Sequence, residues 1–352
     1  IECSDFSYAE SYRSGIDYQM EEDIKDRTVE ELVPYLQCLI GYIADQYFWM
    51  NHTTPPLLPS LLAMNMVNTD GMKYLNTASE NLYSRLLENN LKNVLFVERN
   101  MSLLKSISPI LNRANVKDVA SMLFYQYCSA KETIENSLAG FKRLIEQYIN
   151  SDMHILDYDT GGGEFLLSLN HPYNKTSATE GYQPNVELCK ETLLPLGIDF
   201  KACDNPANIP FPDESFDLII NRHGSFNAKE LYRLLKKGGL FITQQVGGEN
   251  ERDLVEMVLP NAEKPFPHLN LKEQKEVFEK AGFQILEADE AYRPIKFYDV
   301  GAFVWFARII EWEFPGFSVD KCFEHLIKMQ KQIEEKGSVE GTTHRYMIIA
   351  KK

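Results

Sequence analysis

Residues 154–168 read HILDYDTGGGEFLLS, in which two apolar runs flank three consecutive glycines at 161–163. A strand, a glycine turn and a helix in this order begin a parallel α/β unit. The glycines permit positive φ and let the backbone approach a ligand, and the helix N-terminus offers free N–H groups. This stretch therefore predicts a ligand-binding turn at the carboxyl end of a strand. A tight turn without a ligand is the alternative.

The chain after Met153 continues this pattern, since short strand-like runs alternate with helical stretches. Such alternation predicts a parallel sheet that is covered by helices on both faces. The strand-like runs are HILDY, SATE, DFKAC, FDLIIN and LFITQQV, and the helical stretches include NVELCKETLLPL and AKELYRLLKK.

The first 150 residues show almost no strand-like pattern. Apolar residues recur at helical spacing in VEELVPYLQCLIGYIADQYFWM and in SLLKSISPILNRA, and the paired prolines of NHTTPPLLPS end a helix. We predict an all-α helical domain over residues 1–140 and an α/β domain over residues 141–352. The helical domain would serve as a cap over a ligand site, as a module that binds a protein partner, or as a homodimer interface.

Composition excludes several classes of protein. The formal net charge is −15 without a basic run, which counts against nucleic acid as a partner. No apolar run approaches the ~20 residues of a membrane span, and the first residues lack the pattern of a secretory signal. The six cysteines form no CxxC pair, which counts against a metal site and fits a reducing compartment. We expect a cytoplasmic protein with no metal and no membrane segment.

Glu180 ends the second strand-like run, about 20 residues after the glycines, where a carboxylate can accept hydrogen bonds from both hydroxyls of a ribose. The glycine turn and Glu180 together predict a nucleoside-containing cofactor, and a solvated Glu at a strand end is the alternative. A dinucleotide fingerprint needs a third glycine at position 166. Leu166 stands there instead and would crowd the contact between helix and strand.

Three ordered motifs follow: Ile209-Pro210-Phe211, Ser215-Phe216-Asp217 and the segment Leu235–Gly239. Their order and spacing resemble the class I S-adenosylmethionine-dependent methyltransferases over about residues 141–352. The resemblance implies a Rossmann-like seven-stranded sheet whose final strand is antiparallel, with 284–291 and 344–350 as its last two strands. It also implies S-adenosyl-L-methionine as the cofactor and a small-molecule methyl acceptor.

The resemblance assigns the cofactor contacts to four segments. The glycine turn would lie under the methionine portion, and the residues after the second strand would hold the ribose and line the adenosine. Those after the third strand would meet the adenine amine, and the end of the fourth strand would lie beside the sulfonium. In that order the residues are Asp157, Asp159, Gly161, Gly162 and Gly163; Glu180, Gly181 and Tyr182; Asp204 or Asn205; Asn221 and Arg222.

Asp159 departs from the family pattern, in which an acidic residue, here Asp157, precedes three alternating glycines. Asp159 takes the place of the first glycine, and Asp tolerates the left-handed conformation better than most residues. Its carboxylate would attract the ammonium or sulfonium of the cofactor and repel the cofactor's carboxylate. Either the turn still binds the cofactor, or the domain is a non-catalytic scaffold that binds a protein through its helices. An RNA methyltransferase is a weaker alternative.

His223 follows the fourth strand at the carboxyl edge of the sheet, where substrates bind. It is the candidate general base, which an alcohol, phenol or protonated amine acceptor would need. A loop histidine held by hydrogen bonds is the alternative. The aromatic segment 294–317 is expected either to line the acceptor pocket or to pack in the core, with Trp305 and Trp312 on one helical face.

Overall fold

The computed structural model describes residues 77–91, 93–95, 97–98 and 129–352. Most of the predicted helical domain lies outside these residues, so its helices beyond residues 77–88 and 130–140, its boundary at residue 140 and its partner stay predictions. The chain divides into two compact units. One contains residues 131–255, 261–295 and 341–352, and the other contains residues up to 130 with 256–260 and 296–340. No helix among the described residues is long and apolar enough to cross a membrane.

The α/β part contains a seven-stranded sheet with the order β3-β2-β1-β4-β5-β7-β6. Neighbouring strands from β1 to β5 pair in parallel, and β7 pairs antiparallel with β5. This confirms the predicted Rossmann-like sheet and its antiparallel final strand. The strands are β1 (Ile155–Tyr158), β2 (Thr176–Glu180), β3 (Asp199–Ala202), β4 (Phe216–Arg222), β5 (Leu235–Val246), β6 (Gln284–Phe297) and β7 (Val339–Lys351).

Several helices begin at a side-chain cap that the sequence shows. Asn227, Asn270 and Asp299 each accept hydrogen bonds from backbone N–H groups of the first turn that follows them. The helices are α1 (Thr77–Glu88), α2 (Ala130–Ile145), α3 (Glu164–Ser168), α4 (Gln183–Thr192), α5 (Ala228–Leu234), α6 (Arg252–Val258), α7 (Leu271–Ala281), α8 (Val300–Ile309) and α9 (Phe323–Lys336).

Helices cover both faces of the sheet. On one face, Phe141 of α2 packs in a cluster with Leu218 and Ile220 of β4. On the other face, Phe278 of α7 packs in a second cluster with Ile219. Since successive side chains of a strand point to opposite faces, β4 is buried on both sides, as expected for a central parallel strand.

β5, β6 and β7 each extend at least five residues beyond the runs that the sequence predicted. β5 begins at Leu235, five residues before the predicted LFITQQV run, and its register against β4 shifts between Phe216 and Leu218. Gly238, with φ of +82°, lies in this irregular stretch. β6 continues past Pro294, which an edge strand tolerates because one side of it needs no backbone donor.

The aromatic segment 294–317 packs mainly against itself. Phe303 of α8 makes edge contacts with Phe297 and Phe314, at ring-centroid distances of 5.5 and 5.7 Å. Trp305 is buried, whereas Trp312 is 57% exposed and lies beyond the end of α8 at Ile309. The predicted shared helical face of the two tryptophans is therefore wrong, and the core-packing interpretation accounts for most of the segment.

Candidate functional site

The turn after β1 contains three alternating residues with left-handed backbone. Asp159, Gly161 and Gly163 have φ of +62°, +66° and +85°. A side chain at Gly163 would meet Leu193 of the opposite loop, at 2.8 Å from its Cδ2. Asp159 thus adopts the conformation that the glycine pattern requires, at a small steric cost for this residue type.

Glu180 ties this turn to the end of β2. Its side chain is 3% exposed, and Oε2 accepts a hydrogen bond from the Gly161 N–H at 2.7 Å. Oε1 accepts from the N–H groups of Gly181 and Tyr182, at 3.0 and 2.8 Å. A carboxylate offers roughly four acceptor positions, so these bonds leave room for a ligand hydroxyl. The low exposure excludes the alternative of a solvated strand-end Glu.

Asp157 and Asp159 form a group of close carboxylates with Glu180. Burial, opposed by the hydrogen bond from Thr160 and supported by the charges of Asp159 and Glu180, raises the pKa of Asp157 to about 7. Burial, followed by the charge of Glu180, raises the pKa of Asp159 to about 6. None of these three residues forms an ion pair with another described residue. The group therefore favours a positively charged ligand.

The Asp159 carboxylate points toward the end of β4. A methyl group added at Gly224 would overlap both Asp159 Oδ2 and Asn221 Nδ2. Asn221 is fully buried, donates to the Tyr158 carbonyl at 2.8 Å and accepts from Gln245 Nε2 at 2.6 Å. Asp159 therefore lies between the ends of β1 and β4, and the Asn221 amide is occupied inside the protein.

Positive groups gather on the other side of β4. The partly exposed Arg222 donates from Nε to Gln244 Oε1 at 3.2 Å. Loss of hydration, followed by the charge of Arg345, lowers the pKa of Arg222 to about 10. Cations therefore lie beside the carboxylates, across the carboxyl edge of the sheet.

His223 lies next to these cations with φ of +61°, and its N–H donates to the Gln244 carbonyl at 3.0 Å. The residue is exposed to solvent. Partial loss of hydration, followed by the charges of Arg222 and Arg345, lowers the pKa of His223. His223 is therefore neutral at pH 7 and can accept a proton.

The segments after β2 and β3 lie against each other. A side chain at Gly181 would meet the Cys203 carbonyl at 2.8 Å and the Asp204 Cα at 2.9 Å, so only glycine permits this approach. Tyr182 is 64% exposed at the start of α4. Asn205 accepts a hydrogen bond from Ala207 N–H at 3.0 Å, whereas the Asp204 carboxylate has no hydrogen-bond partner among the described residues. The geometry thus favours Asp204 over Asn205 for the ligand contact.

Other motif residues hold the fold rather than the site. Arg233 pairs with Glu230 at 2.6 Å, and Glu230 also accepts from the Ile209 N–H at 2.8 Å. Asp217 pairs with Lys236 at 2.7 Å at the opposite end of β4. These contacts explain the spacing of the downstream motifs, which fixes the loop at 209–213 and the start of β5.

Four further residues at this edge were not predicted from the sequence: Thr160, Gln244, Gln245 and Arg345. Thr160 closes the turn by donating its N–H to the Thr179 carbonyl at 2.9 Å. The two glutamines at the end of the apolar run LFITQQV were a visible signal of a polar site. Arg345 could be found only from the antiparallel register of β7, which brings the beginning of that strand to the same edge.

Residues 156–243 match the family model described as "Methyltransferase domain". Over 99 residues the chain is 34% identical to the phthiotriol/phenolphthiotriol dimycocerosates methyltransferase of Mycobacterium tuberculosis, and the match covers 26% of this chain and 36% of that protein. The protein of the same name in Mycobacterium bovis matches to the same extent. The match thus spans about a third of the length of these curated relatives.

Two solved structures are also similar, a putative methyltransferase of Bacillus halodurans C-125 and the YcgJ protein of Bacillus subtilis. Each is 17% identical with a TM-score of 0.43, and each match covers 62% of this chain. The matches cover 99% and 98% of those two chains. At this sequence identity and TM-score, the two structures give no information about the activity of this chain.

Proposed function

We propose, on the premise that residues 156–243 form a class I S-adenosylmethionine-dependent methyltransferase domain, that the chain transfers the methyl group of S-adenosylmethionine to a small-molecule acceptor. The observation that carries the proposal is the turn at 159–163, which Glu180 ties to β2 at the carboxyl edge of the sheet. S-adenosylmethionine supplies a methyl group on an already activated sulfur. Positioning and exclusion of water can therefore provide most of the rate.

The residues present fit this cofactor. A Cβ built on Gly161 would meet nothing within 4 Å, so the turn faces open space. Glu180 keeps an acceptor position for a ribose hydroxyl, and the exposed Tyr182 and Asp204 flank the place where the adenosine would lie. Asp157 would hold the turn through Thr160, at 2.6 Å, rather than contact the ligand.

Asp159 would face the positively charged part of the donor. Burial, followed by the charge of Glu180, raises the pKa of Asp159 to about 6 and makes ionisation unfavourable. A sulfonium or ammonium beside it would offset that cost. Asp159 is then a residue that favours the charged donor over the demethylated product, whose sulfur is neutral.

His223 would accept the proton that an alcohol, phenol or protonated amine loses as its lone pair bonds to the methyl carbon. It lies at the end of β4, and its lowered pKa keeps it neutral at pH 7. The same lowered pKa makes it a weak base. We expect its contribution to fall at or below the lower end of the 10²–10⁴-fold range of general bases.

The acceptor of this chain does not follow from the curated relatives. They are named for phthiotriol and phenolphthiotriol dimycocerosates, and the match covers 36% of their length. A cytoplasmic location is also a proposal, and the free thiols of Cys189, Cys203 and Cys322 support it.

A second candidate function is a non-catalytic scaffold with the methyltransferase fold. The observation that favours it is the Asp159 carboxylate between β1 and β4, where it takes up room beside the turn. In this case the helical region would bind a protein partner.

Calorimetry with S-adenosylmethionine and its demethylated product separates the two candidates. The enzyme proposal predicts binding of both ligands by the folded protein at one site. Absence of heat with either ligand, on a sample shown to be folded by circular dichroism, would contradict it. Incorporation of labelled methyl groups into a metabolite pool then tests transfer, and binding without any incorporation would favour the scaffold.

A further inference from the structure

A polar row crosses one face of the sheet at its carboxyl edge. In β4, β5 and β7 the paired residues Ile220, Ile242 and Ile349 form a fully buried row. The next row on this face lies two residues closer to the carboxyl ends of β4 and β5. In this row Arg222 pairs with Gln244 and Gln244 pairs with Met347, and all three residues are partly exposed. The apolar core of this face therefore ends at a row that contains a guanidinium and an amide.

Arg222 is the least satisfied member of this row. Its Nε donates to Gln244 Oε1 at 3.2 Å, and Ser137 Oγ donates to the same oxygen at 3.0 Å. Within the described parts of the chain, no carboxylate pairs with Arg222. A guanidinium has five N–H donors in a planar fork. The bond from Nε leaves the two terminal nitrogens for a ligand.

Further positive charge lies close to Arg222. Arg345 is two residues before Met347 on β7, so it points to the same face, and it pairs across the sheet with Val246. The charges of both arginines act on His223, and that of Arg345 acts on Arg222. A cluster of like charges raises the free energy of the empty site, and a bound anion would lower it.

The row also borders open volume. A surface cavity of about 300 Å³ is lined by Gln244 and Met347 on the sheet and by Gly140, Arg143 and Leu144 on α2. Gly140 has no side chain to fill the cavity on the side of α2, and Arg143 adds a guanidinium to the lining. The cavity can hold a small organic molecule. Gln244 lines this cavity and also binds Arg222, whereas Arg222 itself is not among the lining residues.

We infer that the methyl acceptor carries an oxyanion, a carboxylate or a phosphate, and that Arg222 binds this group at the end of β4 in the field of Arg345. A guanidinium binds either oxyanion through two parallel N–H bonds. This inference rests on the proposed function, because it assigns the oxyanion to the acceptor. The acceptor's negative end would then be held beside the donor's positive sulfur.

The test uses two simple probes, acetate and inorganic phosphate, which NMR titration can follow on the full chain saturated with S-adenosylmethionine. The wild type is expected to bind at least one probe with saturation, and Arg222→Gln to bind it at least about tenfold more weakly. Acetate as the tighter probe assigns a carboxylate acceptor, and phosphate a phosphorylated one. Arg222→Lys keeps the charge without the fork and is expected to bind between these limits.

Arg293→Gln is the matched control, because it removes the same charge from an exposed position of β6. It is expected to bind the probes as the wild type does. Equal probe binding by wild type and Arg222→Gln, or an equal loss in Arg293→Gln, would overturn the inference. If Arg222→Gln does not fold, Arg222→Lys with wild-type affinity would overturn it too. Failure of S-adenosylmethionine to bind would instead contradict the proposed function, and the probe titrations without it still report on Arg222.

Discussion

The two sides of the sheet's carboxyl edge carry opposite charge and satisfy it in different ways. On the side of β1 and β2, the buried Glu180 accepts three backbone N–H bonds, and Asp157 accepts a hydrogen bond from the Thr160 hydroxyl. On the side of β4 and β7, Arg222 has only the amide of Gln244 as a hydrogen-bond partner among the described residues. The carboxylates of the anionic side are therefore held by the protein itself, whereas the Arg222 guanidinium on the cationic side keeps donors for a ligand.

This difference shows how a chain with a formal net charge of −15 can still present a local positive site. Like charges on each side raise the free energy of the empty protein, and a ligand of complementary charge lowers it. A cationic donor suits the carboxylates, and an anionic acceptor suits the arginines. Each of the following experiments alters one side and leaves the other intact.

The largest effect is expected for Glu180→Ala. The substitution leaves three backbone N–H groups, one in the turn and two after β2, without their acceptor, so the free energy of unfolding should fall by about 2–4 kcal/mol. Urea denaturation measures this change, and Glu187→Ala is the control because its carboxylate is half exposed beside Lys190. The control should lose at most about 0.5 kcal/mol. A loss of that size in Glu180→Ala would show that the carboxylate does not organise the anionic side.

Asp159→Asn should change how stability depends on pH. An unfolded Asp ionises near pH 4, whereas burial and Glu180 raise the pKa of Asp159 to about 6 in the folded protein. Between these values the folded state keeps a proton that the unfolded state has released. This carboxyl therefore makes the wild type lose stability as pH rises from about 4 to about 6, and the loss is complete above that range.

The Asn variant has no carboxyl that titrates at this position. Its free energy of unfolding minus that of the wild type should therefore rise by about 1–3 kcal/mol when the pH is raised from 4 to 7. Urea denaturation at the two pH values measures the difference. Asp152→Asn, at a side chain that is 95% exposed, is the control and should show little change. If the difference in unfolding free energy between Asp159→Asn and the wild type is the same at both pH values, the pKa of Asp159 is not raised by folding.

The same variant tests the choice between donor and product. Because the sulfonium charge is lost on transfer, Asp159 should favour S-adenosylmethionine over its demethylated product. Asp159→Asn should lower the ratio of the two affinities about fivefold, or about 1 kcal/mol, as expected for one partly screened charge pair. Calorimetry with both ligands measures the ratio. An unchanged ratio would remove Asp159 from the donor site.

The smallest effect concerns the cationic side. The charge of Arg222 contributes to the lowered pKa of His223. Arg222→Gln should therefore raise that pKa, and an NMR titration of the imidazole carbons can measure the change. The Arg293→Gln variant should leave the value unchanged. If Arg222→Gln also leaves it unchanged, the two residues do not share an electrostatic environment.

The sheet and the glycine turn could be predicted from the sequence alone. The α/β alternation, the motif spacing and the antiparallel β7 are confirmed, because hydrophobic periodicity and glycine positions report local structure directly. The turn residues 159, 161 and 163 could be placed for the same reason. Strand ends were harder, since the start of β5 at Leu235 depends on pairing with β4.

The cationic side could not be predicted in the same way. Arg222 and Arg345 are 123 positions apart in sequence, and only the register of β4, β5 and β7 brings them to one face. The hydrogen bond by which Glu180 holds the turn at Gly161 was also not predicted. Its partners are backbone N–H groups, which leave no mark in the amino-acid sequence.

A crystal structure of the protein with S-adenosylmethionine would show whether the turn at 159–163 binds the methyl donor. The proposed function predicts the adenosine beside Tyr182, and the sulfonium or ammonium within about 5 Å of the Asp159 carboxylate, a range in which opposite charges stabilise each other. A turn that remains empty at saturating ligand, with the Asp159 carboxylate against Gly224 in the place of the sulfonium, would contradict it.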